Sequence, residues 1–131
     1  MIRRDDRLLV FRGYDPAKRE EFYRPLGGGI EFGEPAEVAV RRELREELGV
    51  TLESVRLLGV LENLFTHADE PGHEIVFVFS ASVPGHLLRA DIPLVVLDEG
   101  SPVEWVPWEA FDSGARRLYP TGLADLLRSA G

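Results

Sequence analysis

The chain has 131 residues, 44% of them hydrophobic and 29% charged, a composition that suits one folded domain with a buriable core and excludes wholesale disorder. Its 15 Lys+Arg against 23 Asp+Glu leave a net charge of -8, which opposes broad contact with a long nucleic acid. A small phosphorylated ligand stays open, because a bound divalent cation reverses the local field.

With no cysteine there is no disulfide and no thiolate zinc site. No stretch approaches the roughly 18 apolar residues of a membrane span. The opening MIRRDDRLLVF has too short an apolar run for a signal peptide. These features predict a single domain over residues 1–131, in the cytoplasm and away from membranes.

Residues 8–11 read as a short strand, with Gly13 and Asp15-Pro16 marking the turn after it. Residues 21–26 are extended, since Pro25 biases its predecessor away from helix. LGGGIEFGEP then concentrates glycines between Gly27 and Gly33, a loop whose backbone can approach a ligand closely. Pro35 in a first turn, acidic Glu34 and Glu37 at the positive end and Gly49 as a stop predict a helix over 35–48.

Residues 55–65 and 74–83 are rich in β-branched and aromatic side chains, and EIVFVFSA has the continuous apolar character of a strand covered on both faces. THADEPGH between them is a polar loop. Residues 92–97 and 103–106 read as further strands around Asp98-Glu99-Gly100, Pro107 opens a helical turn through Phe111, and 122–129 form a terminal helix. Strands with one central and one terminal helix make a mixed α/β sandwich.

The central helix breaks its own pattern. At about 100° per residue, Ala36, Ala39, Val40, Leu44 and Leu48 form the stripe that should meet the core, and Glu43 and Glu47 point into it, with Glu46 at its edge. A solvated helix laced with Arg and Glu explains Arg41, Arg45 and Glu37. It does not explain like charges four residues apart on the apolar face, near the helix end whose dipole disfavours anions. Buried carboxylates must be protonated, paired or metal-bound, and hard cations such as Mg²⁺ or Mn²⁺ take carboxylates together with substrate phosphates. The helix is therefore shaped as a metal platform beside a glycine loop.

These residues match a known signature. Gly28, Glu34 and Arg42-Glu43-Leu44-Arg45-Glu46-Glu47-Leu48-Gly49-Val50 fill every specified position of G-x5-E-x7-R-E-U-x-E-E-x-G-U, with U a bulky aliphatic residue. The chain thus resembles the Nudix hydrolase family. The resemblance implies an α/β/α sandwich around a mixed β-sheet. It also implies metal-dependent hydrolysis of the diphosphate in a nucleoside diphosphate linked to another moiety, or a similar small diphosphate.

Carried over by position, Glu46 and Glu47 would be the principal ligands of Mg²⁺ or Mn²⁺, Glu43 a further ligand or the base, and the Gly27 carbonyl a backbone ligand. Arg42 would orient Glu43, and Glu34 would support the loop. The base often lies outside the motif in this family, so Glu74 and Glu99 are rivals, each also readable as an ordinary surface or strand-end residue. The family commonly has proline before the paired glycines, whereas here Leu26 stands there and Pro25 precedes it. The first strand also starts close to Met1, where relatives often have several more residues.

Arg24 and Gly28 are candidates for substrate contact. Tyr14, Phe22, Tyr23, Phe65, Trp105 and Trp108 include candidate stacking platforms, although such residues are more often core or rim. His67 and His73 lack a third ligand at convincing spacing for a metal site. The partner is a small diphosphate, and a homodimer is admitted. The rival reading is a non-catalytic module of the same fold that senses a nucleotide or sugar-nucleotide.

Overall fold

In the computed structural model, residues 1–84, 94–95 and 102–130 are described. The strands are β1 (Ile2–Arg4), β2 (Arg7–Asp15), β3 (Glu20–Pro25), β4 (Ser54–His67), β5 (Glu70–Ser82), β6 (Leu94–Val95) and β7 (Pro102–Pro107). The helices are α1 (Ala36–Leu48), α2 (Trp108–Asp112) and α3 (Leu123–Ser129). The strands form one mixed sheet in the order β4-β5-β1-β2-β7-β6, with β3 on β2. Among these strands the β1–β5 pairing is parallel and the others antiparallel.

The period-two alternation of β2 divides the core. Leu9 and Phe11 meet Leu44 of α1 on one face, while Leu8 and Val10 meet Phe111 of α2 and Leu123 and Leu127 of α3 on the other. This is the α/β/α sandwich the motif implied. Pro35 stands just outside α1 in extended conformation, one residue before the helix rather than inside its first turn. Gly49 closes the helix in the left-handed region (φ 70°), its N–H donating to the Arg45 carbonyl at 2.8 Å.

Several predicted boundaries shift. β1 is a strand that the sequence pattern does not separate from β2, and Asp5 turns the chain between the two with φ 56°. Gly13 is not a turn residue: it pairs with Phe22 inside the β2–β3 hairpin, where the Phe22 ring lies so close that a Cβ would sit 2.4 Å from it. The polar loop 66–73 shrinks to a two-residue turn, because Ala68 (φ 50°) and Asp69 (φ 66°) both adopt the left-handed conformation that matches strand twist, so β4 and β5 continue to His67 and Glu70.

The expectation that 74–83 is covered on both faces fails in its first half. α3 covers one side of the hairpin there, with Leu126 against Gly59, whereas Ile75 and Phe77 on the other side remain 55% and 41% exposed. Glu99 and its turn, with most of the strand predicted at 92–97, lie outside the described residues. Among the described residues no helix is long and apolar enough to cross a membrane.

One topological detail positions the site. β7 takes one edge of β2 along Arg7–Phe11, so β1 and β3 must share the other edge, β1 opposite residues 7–9 and β3 opposite 10–15. Past Val10, β3 therefore stands where β1 would continue toward β5. Its outer edge is taken by residues 117–119, with Tyr23 N–H donating to the Arg117 carbonyl and Tyr119 N–H to the Tyr23 carbonyl. The sheet consequently splits between β3 and the far end of the β4–β5 hairpin.

Candidate active site

α1 turns Leu44 and Glu47 inward, each under a tenth exposed, with Glu43 half-buried beside them and Glu46 out toward solvent. The carboxylate of Glu43 rests against Gly28: a Cβ there would lie 2.4 Å from Glu43 Oε2, so only glycine lets the loop approach this closely. Loop and helix are joined by Arg42. It donates from Nε and Nη2 to the two oxygens of Glu34 at 2.8 and 3.0 Å, from Nη1 to Glu43 at 2.8 Å and Glu46 at 3.2 Å, and from Nη2 to the Gly29 carbonyl at 3.0 Å.

A planar guanidinium with five donors suits this fan of acceptors, and a lysine would not. The Arg42 hydrogen bonds, with the Glu31 N–H, hold the Glu34 carboxyl below the usual carboxylate range, and Glu34 in turn raises Arg42.

A groove of about 430 Å³ runs from the glycine loop across Ala36, Ala39 and Val40 to β5. At its end a smaller slot of about 220 Å³ occupies the split in the sheet, and the two share Phe11 and Arg24. Arg24 Nη2 donates to Glu74 Oε1 at 2.8 Å, so two residues that the sequence offered separately, a phosphate contact and a rival base, form one ion pair. Asn63 Nδ2 donates to the same Glu74 oxygen at 2.9 Å.

The slot beyond is walled by Phe22, Phe65 and Tyr119, with the Phe22 ring 5.6 Å from Tyr119 and 5.8 Å from His67, both edge to face. Asp15 fastens its outer end, accepting the N–H groups of Ala17 at 2.9 Å, Lys18 at 3.3 Å and Ala68 at 3.1 Å. Burial pushes the Asp15 carboxyl up, but those three N–H groups outweigh it and the net displacement is downward.

Sequence reasoning missed Asn63 and Asp15. Asn63 stands between Leu61 and Phe65 on the inward face of β4, and a lone amide at an inward strand position was the available signal. It is 3% exposed, and its Oδ1 has no hydrogen-bond partner among the described residues. Such an oxygen costs on the order of 1–3 kcal/mol when left unmet. Asp15 was read only as part of a turn. His67 and His73 are not a metal pair: the first faces Asp15 at 3.9 Å and the second pairs with Glu62 at 2.8 Å. Of the aromatics, Tyr23 is buried in the core against Phe111, and Trp105 and Trp108 pack at the margins of the two core clusters under Arg4 and Arg128.

The donor chemistry of the loop and helix fits a hard divalent cation: carboxylate oxygens, a backbone carbonyl, and a cradle at Gly28 that any side chain would fill. The carboxylates are not already gathered, since among the described residues no group of three or more His, Cys, Asp or Glu is placed to hold a metal ion. Arg42 instead occupies Glu43 and Glu46.

A three-layer sandwich with a carboxylate helix packed against a glycine loop is the architecture of Nudix proteins. The NUDIX domain model matches residues 1–127, and the chain belongs to that family. It is similar to an ADP-ribose pyrophosphatase of Methanocaldococcus jannaschii, 36% identical over 90 residues, which is 69% of this chain and 52% of the relative. It is also similar to the NAD-capped RNA hydrolase NudC of Mycobacterium tuberculosis, 50% identical over 54 residues, 41% of this chain and 17% of that protein. The chain thus spans about half the length of the first relative and less of the second. The fold matches a NUDIX hydrolase of Nitrosomonas europaea with a TM-score of 0.68 at 22% identity, over 98% of this chain and 82% of that one.

Proposed function

We propose that this chain hydrolyses the diphosphate linkage of a small nucleotide-type molecule, a nucleoside diphosphate joined to a second moiety. The observation that carries the reading is the placement of Glu43 and Glu47 on the inward side of α1, with Glu43 against Gly28, a residue of the loop that lines the groove. Membership of a family that includes an ADP-ribose pyrophosphatase gives that arrangement its chemistry.

Nudix hydrolases use divalent metals, and Glu46, Glu47 and the Gly27 carbonyl are the residues that would hold Mg²⁺ or Mn²⁺ here, with Glu43 as a further ligand or the base. A cation so bound supplies charge neutralisation at the phosphate oxygens and a lower pKa for the attacking water. The chain's own groups do the rest. Arg42 fixes the Glu43 carboxylate against the loop. Arg24, where groove and slot meet, offers its guanidinium to a phosphate. Water attacks phosphorus, the bridging P–O bond breaks with its electron pair leaving on the departing phosphate, and a carboxylate takes the proton of the water. Glu74 competes for that role from the groove wall, although Arg24 and Asn63 already hold one of its oxygens. Glu99 is retained as a rival base on the strength of the sequence alone.

One observation favours a second reading, a binding module without turnover: Arg42 bridges Glu43 and Glu46, engaging one oxygen of each. A phosphate-release screen against a diphosphate panel separates the two. It is run with Mg²⁺, Mn²⁺ and EDTA, with Glu47→Gln as control. Metal-dependent release that disappears in the mutant supports the hydrolase. Ligand-induced thermal stabilisation with no release across the panel supports the module.

A further inference from the structure

The β4–β5 hairpin carries an apolar face that the proposed reaction does not use. Direct cross-strand partners share one face of a pleated sheet, so the pairs Leu57–Phe79, Val60–Phe77, Glu62–Ile75 and Leu64–His73 gather eight side chains on one side. The bulge between Leu57 and Gly59 brings Leu57 and Val60 to that side although they are three positions apart. Leu58 and Gly59 both turn to the opposite face, where Leu58 joins the core under α3 and Gly59 meets Leu126. Of the eight side chains Phe79 is buried, whereas Leu57, Val60, Leu64, Ile75 and Phe77 are between 41% and 69% exposed.

A ligand in the groove leaves most of this face bare. Ile75 and Phe77 line the groove, but Leu57, Val60 and Leu64 on the outer strand do not. The five apolar side chains together expose roughly 500 Å², near the top of the range for the largest apolar patch of a monomer. With Glu62 and His73 the face reaches on the order of 700 Å², close to the ~800 Å² that each partner brings to a standard protein–protein interface.

Sequence and charge say what fits there. The run EIVFVFSA has the continuous apolar character of a strand covered on both faces, whereas α3 covers one face and the other is bare among the described residues. The chain has a net charge of -8, yet on this face the one carboxylate, Glu62, is bonded to the one imidazole, His73, at 2.8 Å. Two copies of an acidic chain can therefore meet here without opposing like charges. Pairing of two β4 edges is opposed by the bulge, which twists the outer strand away from a straight ladder.

We propose that this face is the interface of a two-fold homodimer, in which the β4–β5 hairpins of two copies stack face to face. The contact is isologous: the same stripe serves both copies, and the second copy supplies the cover that the sequence of β5 calls for. The inference is independent of the chemistry at the glycine loop.

The test is the mass of the full chain in solution, by light scattering and sedimentation velocity over a concentration series. Wild type sediments at twice the mass of the chain. Leu64→Glu and Val60→Glu, which each put a carboxylate into the apolar stripe, sediment at the mass of a single chain with unchanged far-UV circular dichroism. Tyr14→Glu, at an exposed side chain on β2, keeps the doubled mass. Because the chain has no cysteine, Val60→Cys carries its only thiol. Maleimide labelling of that thiol slows as protein concentration rises through the association range, whereas Tyr14→Cys labels at one rate throughout.

A wild type of single mass at the highest concentration overturns the proposal. So does a doubled mass that survives both glutamate substitutions, or a Val60→Cys thiol that labels equally fast in monomer and dimer. Either of these last two results would move the interface to the β4 edge or to another surface.

Discussion

The loop and helix around Arg42 and the slot around Asn63 flank two cavities that share Phe11 and Arg24, yet they solve opposite problems. At the first end five acceptor oxygens converge on one guanidinium, so its donors are committed before any ligand arrives. At the second the buried amide oxygen of Asn63 has no hydrogen-bond partner among the described residues. Groups that must be accurately placed are held by internal bonds, whereas an unmet buried acceptor carries its cost for as long as no donor reaches it.

The contrast can be broken at its charged end with the largest effect. Glu47→Gln is expected to lower diphosphate hydrolysis on the order of 10³-fold or more, with far-UV circular dichroism unchanged and a thermal midpoint in EDTA equal to or above that of wild type. Full retained activity would remove the carboxylate platform from the mechanism. Gly28→Ala comes next: the new Cβ would stand 2.4 Å from Glu43 Oε2 and must push that carboxylate aside. Displacement of this kind costs up to about 10²-fold in rate, and a fully active alanine variant would show that the Glu43 position does not matter.

Arg42→Lys keeps the charge and loses the fork. Activity should fall about tenfold, because a point cation cannot serve Glu34, Glu43 and Gly29 together, and the thermal midpoint should drop by a few degrees. A lysine variant with unchanged midpoint would mean that loop and helix are held by something other than this fan.

The smallest effect is read from pH. Asp15 at the slot and Glu34 at the loop are both held below the usual carboxylate range. Their stabilising contribution is therefore present above the ordinary value near 4 and is lost as pH falls through the depressed folded value. The thermal midpoint should be flat from neutrality to about pH 5 and decline below about pH 4. Asp15→Asn and Glu34→Gln should each make that decline shallower, and parallel declines in both mutants and wild type would assign acid sensitivity elsewhere.

The loop and helix were readable in the sequence because their constraints are local. Gly28, Glu34 and the run from Arg42 to Val50 are tied by spacing along one turn and one helix, and period and capping place each side chain. The slot was not readable, since it arises where the sheet splits, from β2, β3, the hairpin and residues 117–119. Arg24 and Glu74 were each singled out, but their pairing across 50 positions depends on where β3 lies, which no local pattern encodes. The hairpin length was misjudged for a related reason: Ala68-Asp69 is not a turn pair that composition advertises, and the Ala68 N–H is held by Asp15 from another part of the chain.

That last contact has a mechanical consequence. The tips of two hairpins, β2–β3 and β4–β5, are tied by Asp15 Oδ1, which accepts the N–H groups of Ala17 and Ala68, and by Lys18 Nζ, which donates to the Thr66 carbonyl at 2.8 Å. A displacement of either tip alone would break these bonds, which couples the width of the gap to both turns. Substitutions in either surface turn are thereby felt as a change in the width of that gap, at rings several residues away from the altered position.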